Sequence, residues 1–242
     1  MADGTAATAG GGNSARTRSK RRACIEIAIA YVLIMAVIWS PRPVQRYLWM
    51  VAVAALATMT CLSWDGLEAM GLRRKNFFRS LWVVGLALVL AAAALAMARE
   101  MHTVHIHHGL LHVVRTYWAY VVWTFVQQFL MQCFFLLRFL RLLNDDKAAV
   151  FATAGLFALA HLPNPILTPV TLIWGFAACL IFLRYRNLYP LGMAHAIFGI
   201  TIAITVPGPM VHNMRVGLGY LTYSPTHRYA PSMQPQGPDG VH

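Results

Sequence analysis

Acidic side chains are scarce in this sequence. Eight Asp and Glu stand against 20 Lys and Arg, and charged residues make up only 12% of the 242 positions. A soluble domain carries about 25% charge and is about 45–50% apolar, because a folded surface of ordinary size has to meet water. Here 58% of the residues are hydrophobic and the mean hydropathy is +0.55. The shortage of charge excludes a soluble enzyme, a disordered chain and a nucleic-acid-binding domain. The solvent of this chain is largely lipid. Cysteine is also sparse. Cys24, Cys61, Cys133 and Cys179 lie in or beside apolar runs and form no CxxC pair, which argues against a disulfide scaffold or a zinc knuckle. There is no internal repeat and no phosphate-binding glycine loop.

What is present is a set of hydrophobic runs. They fall at about 23–40, 47–63, 80–98, 116–137, 148–162, 169–183 and 188–206. Most approach the roughly 20 residues that a helix needs to cross the hydrocarbon core. The expected fold is all-α, a polytopic transmembrane bundle of about seven helices. Residues 1–22 read as a disordered basic N-terminal segment, 23–206 as the bundle and 207–242 as a flexible tail. The net charge of +12 and isoelectric point near 10.2 are read as basic loops facing anionic headgroups. The cluster Arg16 to Arg22, the Arg73-Arg74-Lys75 loop, the Arg138/Arg141/Lys147 loop and Arg184/Arg186 alternate with less basic loops. That pattern puts the N-terminus in the cytoplasm, in what reads as a bacterial inner membrane. Residues 64–79 are amphipathic and basic, as expected of a segment lying in the interface plane.

Polar groups inside a span are candidates for function. In the fourth span Thr124, Gln128 and Gln132 recur every fourth residue, with Gln127 beside them, and so share one helix face. These amides either bond to neighbouring helices or face a hydrated cavity. Phe157 and His161 lie one turn apart at the end of the fifth span, and His195 sits near the middle of the seventh. His102, His105, His107, His108 and His112 cluster outside the spans. His108 and His112 have a spacing that suits a metal, yet only Glu100 stands nearby as a carboxylate, and the cluster reads first as a polar external loop. No metal or other cofactor is expected, and the alternative is a metal site in a membrane oxidoreductase.

The order and spacing of these elements resemble the CPBP family of intramembrane proteases, which includes the CAAX prenyl endopeptidases and bacterial Abi-type proteins. The family signature is EExxxR on one span, FxxxH on the next and HxxxN or a relative on a later one. Here Phe157–His161 is intact. The third element keeps His195 but has Gly199 where Asn or Asp is usual, and the first reads Gln127-Gln128-x-x-x-Gln132. Trp174-Gly175-Phe176, the stretch Leu183 to Pro190 and the Met70 to Arg74 loop also look like the family, so the resemblance spans about 65–206. It implies catalytic positions at His161, His195, Gln127 and Gln128 and binding positions at Gln132, Phe157 and Thr124. It also implies an endopeptidase acting on membrane-associated or prenylated peptides.

In the family a glutamate is understood to activate water. A carboxylate near pKa 4.3 can be raised by burial into a useful base, whereas an amide has no basic site in that range. None of the eight acids lies mid-span among these motifs. Three readings follow: a hydrolase that uses a histidine as base, an inactive relative that binds a lipophilic ligand or membrane partner, or an enzyme acting on an isoprenoid or lipid. The expected partners are membrane lipids and a lipophilic peptide or isoprenoid-type ligand, with no nucleic acid.

Overall fold

The computed structural model describes residues 6–104 and 110–224, with side chains from 16–104 and 117–224. Among these residues every regular element is helical. Helix α1 is Ala6–Trp39, α2 Arg42–Leu62, α3 the single turn Phe77–Ser80 and α4 Trp82–Glu100. Helix α5, Leu110–Gln128, continues without a break into a π-helical stretch, Phe129–Leu136, and then α6, Leu137–Leu142. Helices α7 (Asp146–Leu159), α8 (Leu167–Tyr185) and α9 (Tyr189–Thr205) follow, then the short α10 (Gly208–Val211) and α11 (Gly217–Leu221). Five stretches are long and apolar enough to cross a membrane: Arg16–Trp39, Arg42–Leu62, Phe77–Glu100, Tyr117–Leu142 and Leu167–Tyr185. With the shorter apolar α7 and α9 they give the all-α bundle expected from the hydrophobic runs.

Local chemistry sets the helix ends. The Asp145 carboxylate accepts the Lys147 N–H at 2.9 Å and caps α7. Asn164 Oδ1 accepts from the N–H groups of Ile166 and Leu167 ahead of α8. Asn187 Oδ1 accepts from the Tyr189 N–H at the start of α9, where Pro190 fits the first turn.

The basic stretches gather at one end of the bundle. Arg16 and Lys20 both donate to Asn144 Oδ1, at 3.2 and 3.0 Å. Arg141 pairs with Asp65. Asn187 Nδ2 holds the carbonyls of Arg73 and Lys75 at 3.0 and 2.9 Å, and the Leu188 N–H bonds to the Gly71 carbonyl at 2.9 Å. At the other end Asn164 Nδ2 holds the carbonyls of Val211 and Arg215, and Thr103 Oγ1 donates to Thr205 O at 2.9 Å.

The structure departs from the sequence expectations in three places. Helix α1 already runs from Ala6, inside the segment read as disordered. The tail read as flexible from residue 207 carries α10 and α11 instead. It is held by Asn164 and by the Gly217 N–H bonding to Leu162 O at 2.7 Å; residues 225–242 lie outside the described part. Arg138, taken for a loop residue, is fully buried in α6. Beyond these three, the segment 64–79 is mostly turns, with only α3 helical.

Arg138 is buried because its charge is answered from every side. Its Nε bonds to Glu26 Oε2 at 2.6 Å, Nη1 to Phe134 O and Nη2 to Met59 O. Its guanidinium also lies 3.5 Å from the Phe134 ring centroid, a favourable cation–π geometry. Arg22 and Ser63 complete the Glu26 carboxylate.

Candidate functional site

A cavity of about 240 Å³ opens between α1, α5, the π stretch, α7, α8 and α9. Most of its wall is apolar, with Leu130, Met131 and Phe135 coming from the π stretch. His161, His195 and Gln127 supply side-chain nitrogen to the wall, and Tyr31, Tyr120, Thr153 and Thr171 supply hydroxyls.

The polar residues of the fourth span divide by one step of helix rotation. Gln127 lines the cavity. Gln128, Gln132 and Thr124 are fully buried behind the wall. Successive residues on a helix point about 100° apart, so neighbouring amides face different surroundings. Gln128 Nε2 lies 3.1 Å from His195 Nδ1, and Gln132 Nε2 lies 3.5 Å from Gln128 Oε1. Thr124 donates its hydroxyl to Val121 O of its own helix at 2.7 Å. The Gln132 Oε1 acceptor has no partner among the described residues.

Amide polarity fixes the tautomer of His195. Gln128 Nε2 can only donate, so His195 Nδ1 accepts and its proton sits on Nε2. His161 is held in the opposite sense. Its Nδ1 is 2.7 Å from the Phe157 carbonyl, which can only accept, so Nδ1 carries the proton and Nε2 is left as a lone pair. The Phe157 ring stands between the two imidazoles, with its centroid 4.8 Å from His161 and 5.8 Å from His195, edge-on to both. Trp174 tilts over His195 at 6.2 Å.

Of the two imidazoles, His161 offers the cavity a nitrogen lone pair and His195 an N–H donor; the Gln127 amide and Trp174, whose indole N–H has no partner among the described residues, also line it. Among the described residues no Asp or Glu lines the cavity. Glu26, the acid inside the first span, is committed to Arg22, Ser63 and Arg138.

Tyr120 is a part of the site that the sequence did not single out, and Gly199, the departure from the usual Asn or Asp, lines the wall beside it. Tyr120 lies one turn before Thr124 on α5 and lines the cavity. Gly199 and Gly192 let α9 approach α5 closely, since a Cβ on either would overlap the ring or hydroxyl of Tyr120 or the ring of Phe125. Met214 and Val216, from the segment between α10 and α11, also line the wall.

His105, His107 and His108 lie outside the described residues, as does the side chain of His112. Among the described residues no group of three or more His, Cys, Asp or Glu could hold a metal ion.

No curated protein and no solved structure matches the chain. The resemblance read from the motifs is borne out by a family model. Residues 109–201, which carry Gln127, Gln128, Phe157, His161, His195 and Gly199, match the model described as type II CAAX prenyl endopeptidase Rce1-like, and over that stretch the chain is similar to this branch of the CPBP family.

Proposed function

We propose that this protein is an integral membrane hydrolase that cleaves a peptide bond in a membrane-associated or prenylated peptide, with His161 rather than a glutamate as the base. We place its N-terminus in the cytoplasm, at a bacterial inner membrane. The observation that carries the reading is the opposite commitment of the two imidazoles: His161 Nδ1 is tied to the Phe157 carbonyl and His195 Nδ1 to Gln128 Nε2. The two rings then present a lone pair and an N–H to a common cavity, and hydrolysis needs one of each.

The step balances as follows. His161 Nε2 takes a proton from water as the water oxygen attacks the scissile carbonyl. The oxyanion that forms is stabilised by the His195 Nε2–H. His161 then returns the proton to the departing amine as the C–N bond breaks. Gln127 orients the water or the substrate amide.

The test is a peptidase assay on the native protein in vesicles, beside His161→Ala and the Gln127→Glu/Gln128→Glu double variant. A positioned general base contributes about 10²–10⁴-fold, so His161→Ala should lose at least 100-fold. Native protein with no turnover sinks this reading.

The second reading is a binding protein without turnover. It is favoured by the neutral wall, where amides occupy the positions that carry the glutamates in the family signature. It expects no turnover from the native protein and no gain of its in vivo role in the double variant. An isoprenoid or lipid is the remaining ligand class, supported by the aromatic wall of Tyr31, Trp123, Phe135, Phe157, Trp174 and Phe198. Mass spectrometry of co-purified lipid tests for it.

A further inference from the structure

We infer that the Tyr120 hydroxyl is a second hydrogen-bond donor to the oxygen of the bound substrate carbonyl, acting beside the Nε2–H of His195. The inference rests on reading the cavity as a peptide-carbonyl site.

Tyr120 lines the cavity from α5. Its hydroxyl occupies the notch that Gly199 leaves in α9, since a Cβ there would overlap the hydroxyl oxygen and come within 2.5 Å of Cζ. Gly199 is four residues after His195, so the notch and the imidazole lie one turn apart on one helix face. Two donors at that separation can bracket a single oxygen.

Among the described residues the Tyr120 hydroxyl also has no hydrogen-bond partner. The other hydroxyls of the wall are used within the protein: Thr153 bonds to Ala149 O, Thr171 to Leu167 O and Tyr31 to Leu156 O. Tyr120 is half-buried, and a wholly aliphatic ligand that covered its hydroxyl without a partner would leave it at a cost. A carbonyl oxygen relieves it. Catalysis by such a donor is strongest where charge develops on the oxygen.

The test is a cycle across the interface, using a prenylated peptide ketone and its counterpart in which a methylene replaces the carbonyl. Binding of both is measured to native protein and to Tyr120→Phe in vesicles. Phenylalanine removes only the hydroxyl and keeps the ring atoms that also reach the Gly199 notch, Cζ and Cε1. The ketone should lose roughly tenfold in affinity, the value of one hydrogen bond to a buried oxygen, while the methylene compound changes less than twofold. Equal changes for both compounds, no change for the ketone, or native protein that binds neither probe overturns the inference. Turnover is read separately: native protein that hydrolyses nothing but shows the ketone-specific loss refutes the hydrolase and upholds Tyr120. Turnover with a flat cycle does the reverse.

Discussion

At the residue scale, His195 Nδ1 meets an amide nitrogen where a carboxylate oxygen would have demanded the opposite proton placement. Gln128→Glu tests that directly. The new carboxylate can only accept, so it would draw the proton onto His195 Nδ1 and leave Nε2 as a lone pair, or hold the ring as imidazolium. Nitrogen-15 NMR of histidine-labelled protein should show Nδ1 change from an acceptor-type to a protonated signal, while His161, tied to a backbone carbonyl, keeps its pattern. A His195 spectrum unchanged by the substitution would contradict the assigned polarity. The candidate residues were legible in the sequence because His161, His195 and the three glutamines are polar groups in apolar runs. Their division of labour was not. Which of Gln127 and Gln128 faces the cavity depends on helix rotation, and Tyr120 was hidden because an aromatic in a span draws no attention until the glycine opposite it is seen.

At the element scale, the long helices follow the hydrophobic runs closely, from α1 ending at Trp39 to α9 covering Tyr189–Thr205. The π stretch Phe129–Leu136 was not legible, since it contains neither proline nor glycine and helix irregularities are usually sought at those residues. Nor was the placement of the 207–221 segment, held in part by the side chain of Asn164 reaching across about 50 positions of sequence and in part by the Gly217 N–H on Leu162 O. The contact of α5 with α9 makes a sharper prediction. Gly192→Ala places a methyl into the Phe125 ring, and overpacking of this kind costs about 1–3 kcal/mol. Gly155→Ala in α7 meets open space and should be neutral or stabilising, by about 0.5–1 kcal/mol. Thermal unfolding in detergent distinguishes them, and equal melting temperatures for the two variants would count against the close approach.

At the scale of the whole molecule, the low acid content first identified the solvent, and the structure shows where one of the few acids went. Glu26 joins α1 to α6 through Arg138 and to α2 through Ser63. Removing one partner of a buried pair costs about 3–5 kcal/mol, while replacing both by packed apolar residues can be nearly neutral. Glu26→Gln should therefore lower the thermal midpoint sharply, and Glu26→Gln with Arg138→Met should recover much of it. A double variant as unstable as the single one would mean that the pair is not the cause.

That pair also constrains how the protein is made. Glu26 emerges from the ribosome 112 residues before Arg138, so the first helix must enter the bilayer while its eventual counterion has not been synthesised. Arg22, one turn earlier and bonded to Glu26 Oε1 at 2.8 Å, gives the carboxylate a companion that travels with it. On its own span Arg138 meets the Phe134 ring and carbonyl, and its charged partner is reached only when the fourth span packs against α1. The order of synthesis, acid first with a local partner and buried cation later, is thereby built into the sequence.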